Sequence, residues 1–270
     1  MANYSINGNP ISNYGCIASP KESGCLAITG AFDFPARDGD IEHDWGSETE
    51  PFLNALDMKF KPNVCTLSLF LSGTNNAIYQ QSLTNIKSQL TNMGYLSSSY
   101  GLFLDQIKTT GEINVNEFLN KNCAKVEAKF EVANGVLSGT LGTASGGSGY
   151  LISNYNLKAD FSLLVQRRID NKSFGSFKDA DTTEPYEKSI TIREPRDIGL
   201  DVVIMTIDIP SFLNKISRFH QLLSLPNPLV LRFPDGQTIN VFCRDGFKIS
   251  RIQILGGIYA KFYLKLREIL

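Results

Sequence analysis

Apolar residues follow two rhythms along this chain, and the same succession of rhythms occurs twice. Leu67, Leu69 and Leu71 recur at every second position, the period of a strand with one buried face. Tyr79, Leu83, Ile86 and Leu90 then fall four, three and four residues apart, which sets them on one face of a helix. In the second half the run Asp201-Val202-Val203-Ile204-Met205, rich in β-branched residues, reads as a strand, and Phe212, Ile216, Phe219 and Leu223 repeat the helical stripe. The strands are related by an offset of 134 residues and the helices by 133. Thr49-Glu50-Pro51-Phe52 and Thr183-Glu184-Pro185-Tyr186 share the strand offset. Punctuation agrees: Asn75 or Asn76 is suited to cap the first helix and Gly94 to end it, while Pro210 fits the first turn of the second and Pro226 stops it.

Strand signals follow each helix. Leu102-Phe103-Leu104 answers Leu229 to Phe233, after which Pro234-Asp235-Gly236 marks a turn. Each half is expected to close on a hairpin, the first turning at Asn134-Gly135 after Val126, Ala128, Phe130 and Val132, the second at Gly256-Gly257. Ordered elements in a shared phase point to a tandem duplication. The expected organisation is an irregular arm over residues 1–24, a first domain over 25–149 and a second over 150–270, the boundary lying in the glycine-rich stretch Ser138 to Gly149. The fold class is α+β, mainly antiparallel β, each half a small β-sandwich or open barrel with one flanking helix.

Composition narrows the function. At 270 residues and 42% hydrophobic, the chain holds enough apolar side chain for a core, so a disordered or collagen-like protein is excluded. A net charge of -1 and the lack of a basic run argue against general nucleic-acid binding. The longest apolar runs fall well short of the roughly 20 residues of a membrane-spanning helix. Charge is uneven: residues 1–150 hold 9 basic and 14 acidic side chains and the remainder 17 and 13, net -5 against +4, so opposite halves of neighbouring subunits are suited to meet. Five scattered cysteines without a C-x-x-C pair, and an amino terminus without a charged start and apolar stretch, predict reduced thiols and folding in a reducing cytoplasm.

No catalytic motif occurs: no phosphate loop, dinucleotide-binding glycines, serine elbow or zinc helix. The expectation is a protein that is not an enzyme and needs no cofactor. Of the two histidines, His43 and His220, the latter sits in the apolar stripe of the second helix and reads as a core-edge residue. Asp38, Asp40, Glu42 and Asp44 have the alternate spacing of calcium ligands, but the sixth position is not glycine and the twelfth, Thr49, is no carboxylate. A solvated acidic loop is the plainer reading. Trp45, the lone tryptophan, is an anchor for this loop or for a neighbouring subunit, or a stacking platform for a sugar.

The segment Phe32-Asp33-Phe34-Pro35-Ala36-Arg37-Asp38-Gly39-Asp40 resembles the Pro-Gly-Arg-Asp-Gly stretch of phage distal tail proteins, with Ala36 at the usual glycine. The wider order, antiparallel strands with a long early loop and one helix before the closing strands, is similar to the tail-tube fold of tail tube, distal tail and baseplate hub proteins. The resemblance implies two tandem tail-tube-like domains in a structural virion protein, built in the host cytoplasm and resident in the phage tail. It implies a homo-oligomeric ring, trimer or hexamer, at the tube or distal tail and baseplate, with neighbouring tail proteins as partners and DNA passing through the lumen without sequence recognition. Arg37, Asp38, Asp40 and Trp45 are the residues it nominates for the assembly interface. The alternative is an adhesin-like β-sandwich that binds glycans or another protein through Trp45 and nearby tyrosines.

Overall fold

The computed structural model describes residues 3–44, 49–118, 121–171 and 195–270. The first half runs β1 (Tyr4–Ile6), β2 (Asn9–Pro10), a 3-10 turn (Ile11–Tyr14), β3 (Cys16–Ala18), β4 (Ile28–Thr29), β5 (Arg37–Asp38), β6 (Glu42–Asp44), β7 (Thr49–Pro51), β8 (Lys59–Phe60), β9 (Asn63–Ser72), α1 (Asn76–Thr91), β10 (Leu96–Ser98), β11 (Phe103–Leu104), β12 (Ile107–Phe118) and β13 (Cys123–Val132). The second runs β14 (Leu151–Ile152), β15 (Tyr155–Asn156), α2 (Leu157–Phe161), β16 (Leu163–Asn171), β17 (Asp197–Thr206), α3 (Ile209–Leu223), β18 (Leu229–Arg232), β19 (Thr238–Phe242), β20 (Ile252–Ile254) and β21 (Ile258–Glu268). Every strand pair is antiparallel, which with the helices gives an α+β fold dominated by antiparallel sheet. Among the described residues, no helix is long and apolar enough to cross a membrane.

The two halves follow a common order of elements, but not in the expected phase. Shifted by 134 residues, the bounds of β9 coincide with those of β17, yet Leu67, Leu69 and Leu71 then fall on Asp201, Val203 and Met205, whereas the core side chains of β17 are Ile198, Leu200, Val202 and Ile204, so the offset is one residue out. Each of these strands pairs along its full length with the closing strand of its half, β13 or β21. Each leads into a helix capped by the side chain before it: Asn75 Oδ1 accepts from Ile78 N at 2.9 Å, and Asp208 Oδ1 accepts from Ser211 N at 2.8 Å. By sheet position β18 answers β10, not the stretch at 102–104, because each follows its helix and pairs with the small leading hairpin of its half. The hairpin that closes the first half is β12–β13, so its turn precedes β13; Asn134-Gly135 leads out of the sheet instead. Nor does Gly94 form a left-handed cap: α1 ends at Thr91 and is capped by Asn92, whose N–H and side-chain amide both donate to Ser88 O.

The segment expected to be an irregular arm belongs to the repeat. Tyr4 and Ile6 are fully buried in a hairpin, and the chain passes through the 3-10 turn to Gly15, left-handed at φ 68°, before β3 lies on β9. In the second half the same order returns: a hairpin, the short α2, Ser162 left-handed at φ 58°, then β16 on β17. Both hairpins turn through two residues of positive φ, Asn7-Gly8 and Ser153-Asn154, the geometry that matches the twist of paired strands. Strands of two or three residues leave no period to detect, and so the sequence reads as irregular there. The duplicated Thr183-Glu184-Pro185 lies outside the described residues.

The four predicted positions of α1 are buried, as are the four of α3. α3 also buries Ser217, His220 and Leu222, because it is covered on a second side. There Phe32 meets Phe212 edge to face, and the chain at 137–141 is tied to the helix by Gln221 to Leu137 O at 2.7 Å and Arg218 to Leu141 O at 2.8 Å. The glycine-rich stretch beyond is also fastened: buried Asp160 accepts from both N and Oγ of Ser145, and Asn156 donates to the carbonyls of Gly146 and Ser148. One connected core spans the molecule, with members from both halves.

Candidate assembly interface

Two regions bear on assembly: the segment from Asp33 to Asp44, which includes three of the four nominated residues, and the outer edges of the two large sheets. The segment is a strap from the first half across the second. Phe34 and Phe247 exchange both main-chain hydrogen bonds at 3.0 Å, an isolated antiparallel bridge to the stretch between β19 and β20. Gly246 permits the approach: at φ 66°, a Cβ there would collide with the Phe34 carbonyl oxygen. Asp33 Oδ1 accepts from Ile249 N at 2.7 Å, and burial raises the Asp33 pKa above the usual carboxylate value. Rings of Phe34, Phe247 and Phe262 stack beneath the strap, with Phe247 and Phe262 4.3 Å apart.

Arg37 is 3% exposed. Its Nε donates to Cys243 O at 3.2 Å, its Nη1 to Phe52 O at 2.9 Å, and its guanidinium lies 5.2 Å from the centre of the Phe242 ring. Burial lowers its pKa below the ordinary arginine value, and carbonyl acceptors and the aromatic face hold the cation in place. Its known partners are thus within its own chain, and it ties the strap to the second half. Asp38 and Asp40 are exposed, with Asp38 opposite Lys59 in the β5–β8 pair. Trp45 lies outside the described residues, as does the loop from 172 to 185. Glu42, from the acidic loop, reaches the second half at 3.4 Å from Arg244 and 3.8 Å from Arg267. Among the described residues, no group of three or more His, Cys, Asp or Glu converges as a metal site.

His220 is fully buried, and both ring nitrogens are engaged. Nδ1 accepts from Leu137 N at 3.1 Å, which leaves Nε2 to donate to Phe32 O at 3.2 Å. Burial drives its pKa down from 6.5 to about 3, so it is a neutral strut between connector, helix and strap. All five cysteines are free thiols. Burial pushes those of Cys16, Cys65 and Cys243 up to about 12.

The sheet edges are the more open surface. β12 has only β13 as a strand partner, and β16 only β17, so among the described residues neither carries a strand on its outer edge; at its start β12 is tied to the end of α1, Ile107 N donating to Gly94 O at 3.1 Å and Thr109 Oγ1 to Thr91 O at 2.9 Å, which leaves Ile113 to Phe118 as its open stretch. β12 carries a bulge between Thr109 and Ile113, with Gly111 at φ 76°, and is regular from Ile113 to Phe118. Edges of this length are templates for further strand addition. Sequence reasoning anticipated open borders but not which strands form them; the alternation in β12, half-buried on one face and exposed on the other, is the signal that was available.

No protein-family model matches this sequence, and no curated protein matches it. Among solved structures, the chain aligns over its full length, and over the full length of the other chain, with the SPP1 Dit (gp 19.1) protein, whose crystal structure is titled a paradigm of the hub adsorption apparatus in phages infecting Gram-positive bacteria. Sequence identity is 8% and the TM-score 0.35, a similarity too low to carry an inference about this chain.

Proposed function

We propose that this chain is a structural protein of a phage tail that assembles with copies of itself into a ring around the DNA channel, at the tube or at the distal tail and baseplate. The observation that carries the reading is the tandem repeat with open borders: two copies of one antiparallel unit, fused through a shared core, end in long unpaired sheet edges at β12 and β16. A chain of two like units joined head to tail is built to continue the same way, since a heterologous contact that closes yields a ring. The phage assignment rests on the likeness of residues 32–40 and of the strand and helix order to tail-tube proteins. The opposed net charges of the halves, -5 and +4, favour contact between unlike halves of neighbouring copies. Two repeats per chain make a trimer a six-unit ring. DNA would pass such a lumen without base recognition.

The test is solution mass and electron microscopy of the purified protein, alone at high concentration and mixed with the products of neighbouring tail genes. Rings of a fixed number of copies are expected. Monomers under every condition would overturn the reading.

A further inference from the structure

The chain joins its own two repeats edge to edge, and that junction is a template for a contact between copies. On the first repeat it uses the side of β9 that carries β3 and β4: Cys25, just ahead of β4, forms an antiparallel bridge with Gln253 of β20. Ile254 N donates to Gly24 O at 2.6 Å, and Arg251 Nε lies 2.9 Å from Glu22. On the second repeat the junction uses the β20 side of β21.

Both participating edges have counterparts in the other repeat. β20 lies on the amino-terminal end of β21 as the last residues of β12 lie on the amino-terminal end of β13: Ile254 pairs with Ile258, and Phe118 with Cys123. β16 flanks β17 as β3 and β4 flank β9. The in-chain junction therefore joins a β16-type edge of repeat one to a β12-type edge of repeat two. The complementary pair, β12 along Ile113 to Phe118 and β16, has no outer strand among the described residues.

We propose that the outer edge of β16 in one copy pairs antiparallel with the outer edge of β12, along Ile113 to Phe118, in the next, repeating between chains the junction within the chain. The proposal rests on the self-assembly reading above and deepens it by naming the strands. Two further observations agree. The regular stretch of β12 is the end that corresponds to β20, and its bulge lies away from it. The two edges are different surfaces, so pairing them leaves a free edge of each kind at the ends, and the contact propagates until it closes.

Cysteine cross-linking tests it. Glu117→Cys is made in one preparation, and Gln166→Cys or Arg167→Cys in another, the two adjacent positions covering both sheet faces. The preparations are mixed at a concentration where light scattering shows oligomers, then oxidised, with the unsubstituted chain and its partly exposed Cys25 and Cys123 as control. The expected result is a band shifted from 29.9 kDa to twice that mass, present in one mixture and absent from either preparation alone and from the control. Oligomers without that band, or dimers of one variant with itself, overturn the strand assignment and leave the ring reading standing. No oligomer of any preparation, native chain included, overturns both.

Discussion

Acidification should loosen this protein through one side chain. His220 is held neutral among the rings of Phe34 and Phe247, its two nitrogens bonded to Leu137 N and Phe32 O. Its pKa falls from 6.5 to about 3 on folding because burial penalises the imidazolium. Below pH 6.5 the unfolded chain takes up a proton that the folded chain refuses, so the stabilising contribution is complete above 6.5 and is lost as pH falls toward the folded value. Each pH unit in that window costs about 1.4 kcal/mol, or about 2 kcal/mol between pH 6.5 and pH 5. Asp33 works in the opposite sense: its raised pKa lets the folded state bind a proton first, which favours folding as pH drops through the carboxylate range. Asp33 is common to the native chain and to a His220 variant, so comparing the two proteins isolates the histidine. Urea unfolding at half-unit pH steps, for the native chain and for His220→Gln, provides the assay. The variant should be less stable at pH 7 and should lack the native slope between 6.5 and 5. Parallel curves for the two proteins would refute the argument, whatever their absolute stabilities.

Arg37→Met should lower stability by about 2 kcal/mol by leaving the buried carbonyl of Cys243 and the partly exposed one of Phe52 without this donor, read as a shift in the urea midpoint; an unchanged midpoint would mean water satisfies both. Gly246→Ala should cost at least about 1–2 kcal/mol from its left-handed backbone alone, with the clash at Phe34 added, whereas Gly236→Ala, with open space around its Cβ, should show only the backbone part. Asp208→Ala and Asn75→Ala should each cost about 1 kcal/mol in thermal or urea unfolding, since each removes the acceptor that caps an equivalent helix. In the native protein at neutral pH a thiol reagent should titrate Cys25 and Cys123 quickly and Cys16, Cys65 and Cys243 only after denaturation; early reaction of Cys243 would show that the strap opens.

What could be read from the sequence follows from what leaves a side-chain pattern. β9 with α1, and β17 with α3, are long enough for several periods of their buried faces, so the elements were legible; the offset of 134 was not, because it matches the strand ends while setting Leu67 and Leu69 against Asp201 and Val203 instead of the core residues Leu200 and Val202. The leading hairpins were not, because two- and three-residue strands have no period; only their paired turns, Asn7-Gly8 and Ser153-Asn154, mark them. The strap was invisible for another reason. Its bond between Phe34 and Phe247 is made by main chain across more than 200 residues, and no side-chain rule records such a contact. Arg37 illustrates the same limit: the resemblance nominates it for an assembly interface, and nothing in the local sequence records that its acceptors include carbonyls contributed by residues 52 and 243. The acidic loop was correctly read as solvated at Asp38 and Asp40, which remain exposed.

Because the strap, the 137–141 connector and His220 interlock on α3, neither repeat retains a complete interior once separated from its sister. Cleavage in the glycine-rich stretch should accordingly yield fragments that co-migrate until denatured, and a gene truncated there should produce insoluble halves. The two halves are mutually dependent: each can vary in loops and charge, but neither can be discarded.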